Sequence, residues 1–155
     1  MPTVIDIPLS PYAQKVKLAL IEKGVAFDVT YPDLDQPDAR AHMRNPRAEV
    51  PVLIDDEVSI FQGSVILEYI EERWPEPALL PRSPAERARV RMLQEICDTA
   101  YDAVNWGVTE ITVFKRAEGA LAETILERAR EQVRGLNARL ERELSTRPWF
   151  NGESF

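Results

Sequence analysis

The sequence predicts a mixed-sheet α/β unit followed by an all-helical unit. Three observations carry that prediction. Up to Trp74, segments with strand spacing alternate with helical ones in the order β-α-β-α-β-β-α. Pro75, Pro77, Pro81 and Pro84 then break the pattern and read as a linker. Beyond them the apolar residues recur only with helical spacing. The expected division is residues 1–77 for the α/β domain, 78–84 for the linker and 85–155 for the helical domain.

Taken in order, Thr3-Val4-Ile5-Asp6-Ile7 reads as the first strand, and it runs almost directly into a helix. Ser10 can cap that helix, Pro11 has the φ that suits its first position, and Gly24 provides a left-handed stop. Ala13, Val16, Ala19 and Leu20 form its apolar stripe, with Lys15, Lys17, Glu22 and Lys23 expected on the solvent side. A strand feeding a helix start aims unpaired N–H groups and the positive dipole end at one point. A hydroxyl there can cap the helix or stabilise a bound anion, and the residues alone leave both roles open for Ser10.

Ala26–Tyr31 alternates as a second strand, and residues 37–45 give a short helix stopped by Asn45-Pro46. Val50–Ile54 and Val58–Phe61 flank Asp55-Asp56, which predicts an antiparallel hairpin. Gly63-Ser64 opens a helix with Val65, Ile66, Tyr69, Ile70 and Trp74 on its apolar face; Glu68, Glu71, Glu72 and Arg73 fall off that face. Val90, Leu93, Cys97, Ala100, Tyr101 and Val104 mark a long helix expected to bend near Gly107, with Cys97 buried and inert. Leu121 to Leu144 marks another, with Glu127/Arg130 and Glu131/Arg134 as i,i+3 pairs on its outer face.

Composition excludes several function classes. The 155-residue chain has a net charge of -7, from 26 acidic and 19 basic residues, which disfavours a nucleic-acid surface. A single cysteine rules out a disulfide framework and a Cys-x-x-Cys pair. With His42 as the one histidine, neither a zinc site nor a Ser-His-Asp triad is expected, and no metal is assigned. No apolar run approaches the ~18 residues of a membrane span, and no signal peptide is recognisable, so a soluble cytoplasmic protein is expected.

Ser10-Pro11-Tyr12, Asn45-Pro46 with Val50-Pro51-Val52-Leu53, and Gln62-Gly63-Ser64-Val65-Ile66-Leu67-Glu68-Tyr69-Ile70 together resemble the cytosolic glutathione transferase superfamily. The likeness covers the whole chain. Glu68–Pro77 is also similar to the stringent-starvation-protein type within that superfamily. The resemblance implies a thioredoxin-like N-terminal domain and an all-α C-terminal domain. Against the family's length, the helical domain is expected to be incomplete, as in a fragment or truncated variant, leaving apolar faces that favour self-association.

The implied chemistry is activation of the thiol of glutathione, the co-substrate. A free thiol has a pKa of about 8.5 and is a poor nucleophile at neutral pH. A hydroxyl donating to sulfur at a helix start favours the thiolate, and two pKa units correspond to about 2.7 kcal/mol. Ser10 matches the family's activating serine. Val50-Pro51 matches its cis-proline, beside which backbone pairs with the cysteinyl part; a trans proline opening a strand is the local alternative.

Gln62, Gly63 and Ser64 match the start of the helix that holds the γ-glutamyl group. Gly63 stands where the family carries serine, so Gly63→Ser is expected to tighten binding. Tyr12 and Glu49 complete the glutathione set. Glu49 departs from the family's polar or basic residue and would repel carboxylates unless Arg44 or Arg47 compensates. Tyr101, Asn105 and Trp106 are the candidates for an electrophile pocket, and Trp74 for a plug between the domains. The resemblance further implies a homodimer. The alternative function is a non-enzymatic stringent-starvation-type regulator that binds a protein such as RNA polymerase, and a third reading is a plain dimerisation module.

Overall fold

The computed structural model describes residues 1–33, 44–144 and 147–151. The expected helix over residues 37–45 and His42 lie in the remainder, apart from Arg44 and Asn45. Two compact units divide at Leu80/Pro81, Met1–Leu80 and Pro81–Phe155.

The first unit is a 4-stranded mixed sheet in the order β2-β1-β3-β4, formed by β1 Thr3–Ile5, β2 Asp28–Thr30, β3 Val52–Asp55 and β4 Val58–Phe61. β1 runs parallel to β2 and antiparallel to β3, and β3 and β4 form the expected hairpin. Helices α1 Pro11–Glu22 and α2 Gly63–Arg73 pack against this sheet. Val4 and Leu53 from the sheet meet Val16, Ala19 and Leu20 of α1, and Ile66 and Ile70 of α2. Burying a Val, Leu or Ile side chain in this way stabilises by about 1.5–3 kcal/mol each. This is the thioredoxin-like fold that the resemblance implies.

α1 begins and ends as its sequence dictates. Pro11 occupies the first turn, and Gly24 stands at φ 67 beyond the end. The solvent-side assignments are corrected. Lys23 is buried, and so is Glu71, which the periodicity had placed off the apolar face of α2. They pair with each other, which the spacing of either helix alone does not reveal. Lys17 also turns inward, onto the fully buried Asp6. Val65 is 53% exposed rather than part of the apolar face. Trp74 stands just past α2, set edge-on against Tyr69 and packed on the first unit's core.

The second unit consists of α3 Pro84–Ile96, a π-helical turn Cys97–Tyr101, α4 Asp102–Thr112 and α5 Gly119–Leu144. The interruption falls at the π turn rather than near Gly107, which sits within α4. Cys97 is exposed, not buried. The stripe it belongs to is amphipathic in sequence, yet α3 has no fully buried residue. Glu127 and Arg130 form the expected pair.

Candidate functional site

One row across the sheet assembles the candidate site. Ile5 pairs with Val52, and Val52 pairs with Phe61. The loop leaving β1 toward Ser10, the segment Val50-Pro51 entering β3, and Gln62-Gly63 leaving β4 therefore all emerge at one end of the sheet. Ile5 and Val52, 47 positions apart in sequence, thus become neighbours through strand pairing.

Ser10 caps α1: its Oγ accepts from the N–H of Ala13 at 3.2 Å. Its own N–H donates to Ile7 O at 2.8 Å, and its carbonyl accepts from Gln14 N–H at 3.1 Å. Capping uses a lone pair of the hydroxyl and leaves its hydrogen to donate. The cap and a thiolate-stabilising role are therefore compatible. Both ends of the loop before Ser10 are fixed. Asp6 Oδ2 receives Lys17 Nζ at 2.6 Å, and Asp6 N–H donates to Thr30 O at 2.9 Å.

The Val50–Pro51 peptide is cis, and Pro51 is buried. The loop before it is held by Asn45, whose Nδ2 donates to Glu49 O at 2.8 Å and whose Oδ1 accepts from Arg47 N–H at 3.0 Å. Glu49 is answered by Arg47, which approaches one carboxylate oxygen with Nη2 at 2.9 Å and the other with Nε at 2.9 Å. The expected repulsive acid is thus paired within its own loop.

Gln62 precedes α2 at φ 71, ψ 114, a left-handed conformation that strains a residue with a Cβ. Its side chain makes no capping bond, although its carbonyl starts the helix by accepting from Ile66 N–H at 2.9 Å. The first N–H groups of α2 have no partners inside the helix, and its first turn carries no acidic residue. Gly63 is buried and Ser64 exposed. Tyr12 and Lys15 reach this helix start from α1, with Lys15 Nζ 5.3 Å from the centre of the Tyr12 ring.

Ser10, Tyr12, Glu49, Val50, Pro51, Gln62, Gly63 and Ser64 all belong to the first unit, on segments that meet at this end of the sheet. Lys15, which helical periodicity assigns to solvent, instead lies half-buried against the side-chain-free position at Gly63.

Tyr101, Asn105 and Trp106 belong to the second unit. The Tyr101 hydroxyl donates to Asn137 Oδ1 on α5, and burial, with Cys97 adding to it, pushes that phenol above its ordinary pKa. Asn105 is exposed. Trp106 packs on Phe114 with ring centres 6.0 Å apart, and Arg116 covers the other aromatic at 5.2 Å. Among the described residues, no group of three or more His, Cys, Asp or Glu side chains could hold a metal ion. No described helix is long and apolar enough to cross a membrane.

Comparison with known proteins gives one consistent match. The family described as glutathione S-transferase, N-terminal domain, matches residues 4–78. The crystal structure of a glutathione S-transferase from Rhodospirillum rubrum F11 is 30% identical with a TM-score of 0.86, covering 100% of this chain and 71% of that one. A glutathione S-transferase from Methylobacterium radiotolerans, in complex with glutathione sulfonate, is 32% identical with a TM-score of 0.81, covering 99% of this chain and 72% of that one. A stringent starvation protein A homolog of Coxiella burnetii is 40% identical over 91 residues, 59% of this chain. The chain spans about half to two thirds of the length of the curated relatives it matches, 44% in the Coxiella protein and 64% in an Arabidopsis thaliana glutathione S-transferase.

Proposed function

The chain belongs to the cytosolic glutathione transferase superfamily, and from that premise we propose that it binds glutathione at the end of the first unit's sheet and activates the thiol for attack on a small electrophile. The observation that supports this reading is the row Ile5–Val52–Phe61, because it brings the segments carrying Ser10, Val50-Pro51 and Gln62-Gly63 to one end of the sheet. Ser10 donates its hydroxyl hydrogen to the cysteinyl sulfur while its oxygen continues to cap α1. The positive end of the same helix adds to the preference for thiolate. Backbone at Val50, fixed by Pro51, pairs with the cysteinyl amide. Gln62, Gly63 and Ser64 offer N–H groups at the start of α2 to the γ-glutamyl carboxylate. Tyr12 and Glu49 border the peptide.

Tyr101, Asn105 and Trp106 contribute to electrophile recognition, and the protein works as a cytoplasmic homodimer. Saturable binding of glutathione in a calorimetric titration is the expected result; a flat trace sinks the reading.

A second reading has its own support. The similarity to a stringent starvation protein A homolog, together with Gly63 and Glu49 at glutathione-facing positions, fits a regulator that keeps the fold and binds a protein such as RNA polymerase. The same flat trace, with polymerase retained on the immobilised chain, would favour it.

A further inference from the structure

An ion pair brackets Ser10 in the sequence and closes the segment that carries it. Asp6, the residue after β1, is fully buried, and its Oδ2 lies 2.6 Å from Lys17 Nζ, whose side chain is 17% exposed. Asp6 is fixed to the sheet by its own N–H, which donates to Thr30 O at 2.9 Å. Lys17 stands about two turns beyond Ser10 on α1. Between them, residues 7–10 form a turn closed by the Ser10 N–H on Ile7 O at 2.8 Å, with Pro8 at its second position. Pro8 and Leu9 at its centre are exposed, Leu9 by 85%, so the packing of their side chains holds little of the turn in place. The pair ties the strand before that turn to the helix after it.

A buried ion pair adds little net stability over an apolar pair of the same volume, which leaves geometry as its role at this point of the chain. The Ser10 hydroxyl has two directions to satisfy. Its oxygen meets Ala13 N–H at 3.2 Å, and its hydrogen has to point away from the helix toward a bound sulfur. A turn free to tilt between β1 and α1 can keep the first contact and lose the second. We propose that Asp6, acting through Lys17, is a positioning residue that fixes the turn over residues 7–10 and so aims the Ser10 hydroxyl at the thiol of glutathione. This rests on the glutathione-binding reading above and extends it to a fully buried residue outside the ligand set.

The test is a pH titration of glutathione bound to the 155-residue chain, read by thiolate absorbance, with kcat and KM for an aromatic electrophile alongside. Asp6→Asn and Lys17→Met should each raise the pKa of the bound thiol by about 0.5–1 unit and lower kcat about three- to tenfold near neutral pH, with KM for glutathione within about twofold. Neither should add a further rise in a Ser10→Ala background, because the hydroxyl they aim is gone. Lys17→Arg keeps the tie and should titrate like the parent. Should a single variant fail to fold, the double variant Asp6→Asn/Lys17→Met, which leaves the net charge unchanged, carries the same expected rise. A field of the two charges acting directly on the sulfur would instead move the thiol in opposite directions, down in Asp6→Asn and up in Lys17→Met, and would persist without Ser10. That result overturns the inference, as does a lowered Tm with an unchanged thiol titration, and either leaves glutathione binding standing. A parent chain that binds no glutathione, or a Ser10→Ala variant whose thiol titrates like the parent's, overturns the inference together with the reading it rests on.

Discussion

Lys23 Nζ stands 2.6 Å from Glu71 Oε2, the lysine side chain fully buried and the glutamate 10% exposed. The pair joins the residue that caps the end of α1 to the last turn of α2. Glu71 also accepts from the N–H of Leu79 and of Leu80, each at 3.1 Å, which draws the chain after the first prolines back onto the first unit. Burial pushes the Glu71 carboxyl up, but the bonds from Lys23 and the two N–H groups outweigh it and hold the group below its ordinary value.

Removing one partner leaves a buried charge uncompensated, so Glu71→Gln should destabilise by about 3 kcal/mol. Lys23→Met should destabilise less, since Glu71 keeps its two N–H donors. The double variant should lose less than the sum. The sign with pH follows from the lowered carboxyl: its contribution is present above the unfolded value of about 4.3 and is lost as pH falls through the lower folded value. Thermal melts between pH 7 and pH 3 check this. The parent chain's advantage over Glu71→Gln should shrink below about pH 4, and a constant difference would contradict the assignment.

Arg47 and Glu49 are 63% and 49% exposed, so their pair adds little to stability. Its consequence is for the ligand. Arg47→Met should unmask the Glu49 carboxylate and weaken glutathione binding about two- to threefold at low salt, with the effect fading near 0.5 M. Glu49→Gln in that background should restore the affinity. Titrations at two ionic strengths decide it.

Local chemistry was legible where a single segment determines the outcome. Ser10, Pro11 and Gly24 set the limits of α1 because caps and breakers act within one turn. The β3–β4 hairpin follows from two apolar runs around Asp55-Asp56. What periodicity could not show is a polar residue whose partner lies on another element. Lys23 and Glu71 look like surface charges until α1 and α2 are side by side. Asp55 is similar: it is buried because Tyr69 donates to it at 2.8 Å and Arg73 at 3.3 Å. At the site, the family likeness pointed to Ser10 and Gln62. The space at Gly63 that Lys15 fills belongs to this chain's own packing and needed coordinates.

Association should be visible in solution. In the second unit, Met92, Val113 and Leu121 are 61%, 58% and 64% exposed, while the buried apolar residues among those described are Ile111, Ala122 and Ala129. Apolar surface of this kind favours a self-complementary two-fold contact. Light scattering should give twice the chain mass, and Leu121→Glu should shift the population toward monomer. A monodisperse monomer of the parent chain would remove the dimer from the proposed function.

Ser10→Ala separates the two roles of one hydroxyl. The cap is an observed contact, Ser10 Oγ to Ala13 N–H, so its loss should lower stability by about 1 kcal/mol whatever the protein does. The proposed catalytic role uses the hydroxyl hydrogen instead, and its loss should raise the pKa of bound glutathione. A rise of one to two units corresponds to about 1.4–2.7 kcal/mol less thiolate stabilisation, and turnover near neutral pH should fall tenfold or more. Ser10→Cys provides the internal control. A thiol is a weaker donor and a poorer cap, so stability should again fall, while turnover should be intermediate if donation to sulfur matters. The measurements are the Tm, the ultraviolet absorbance of bound thiolate against pH, and kcat/KM with an aromatic electrophile. A lowered Tm with unchanged thiolate titration and unchanged kcat/KM would leave Ser10 as a cap alone.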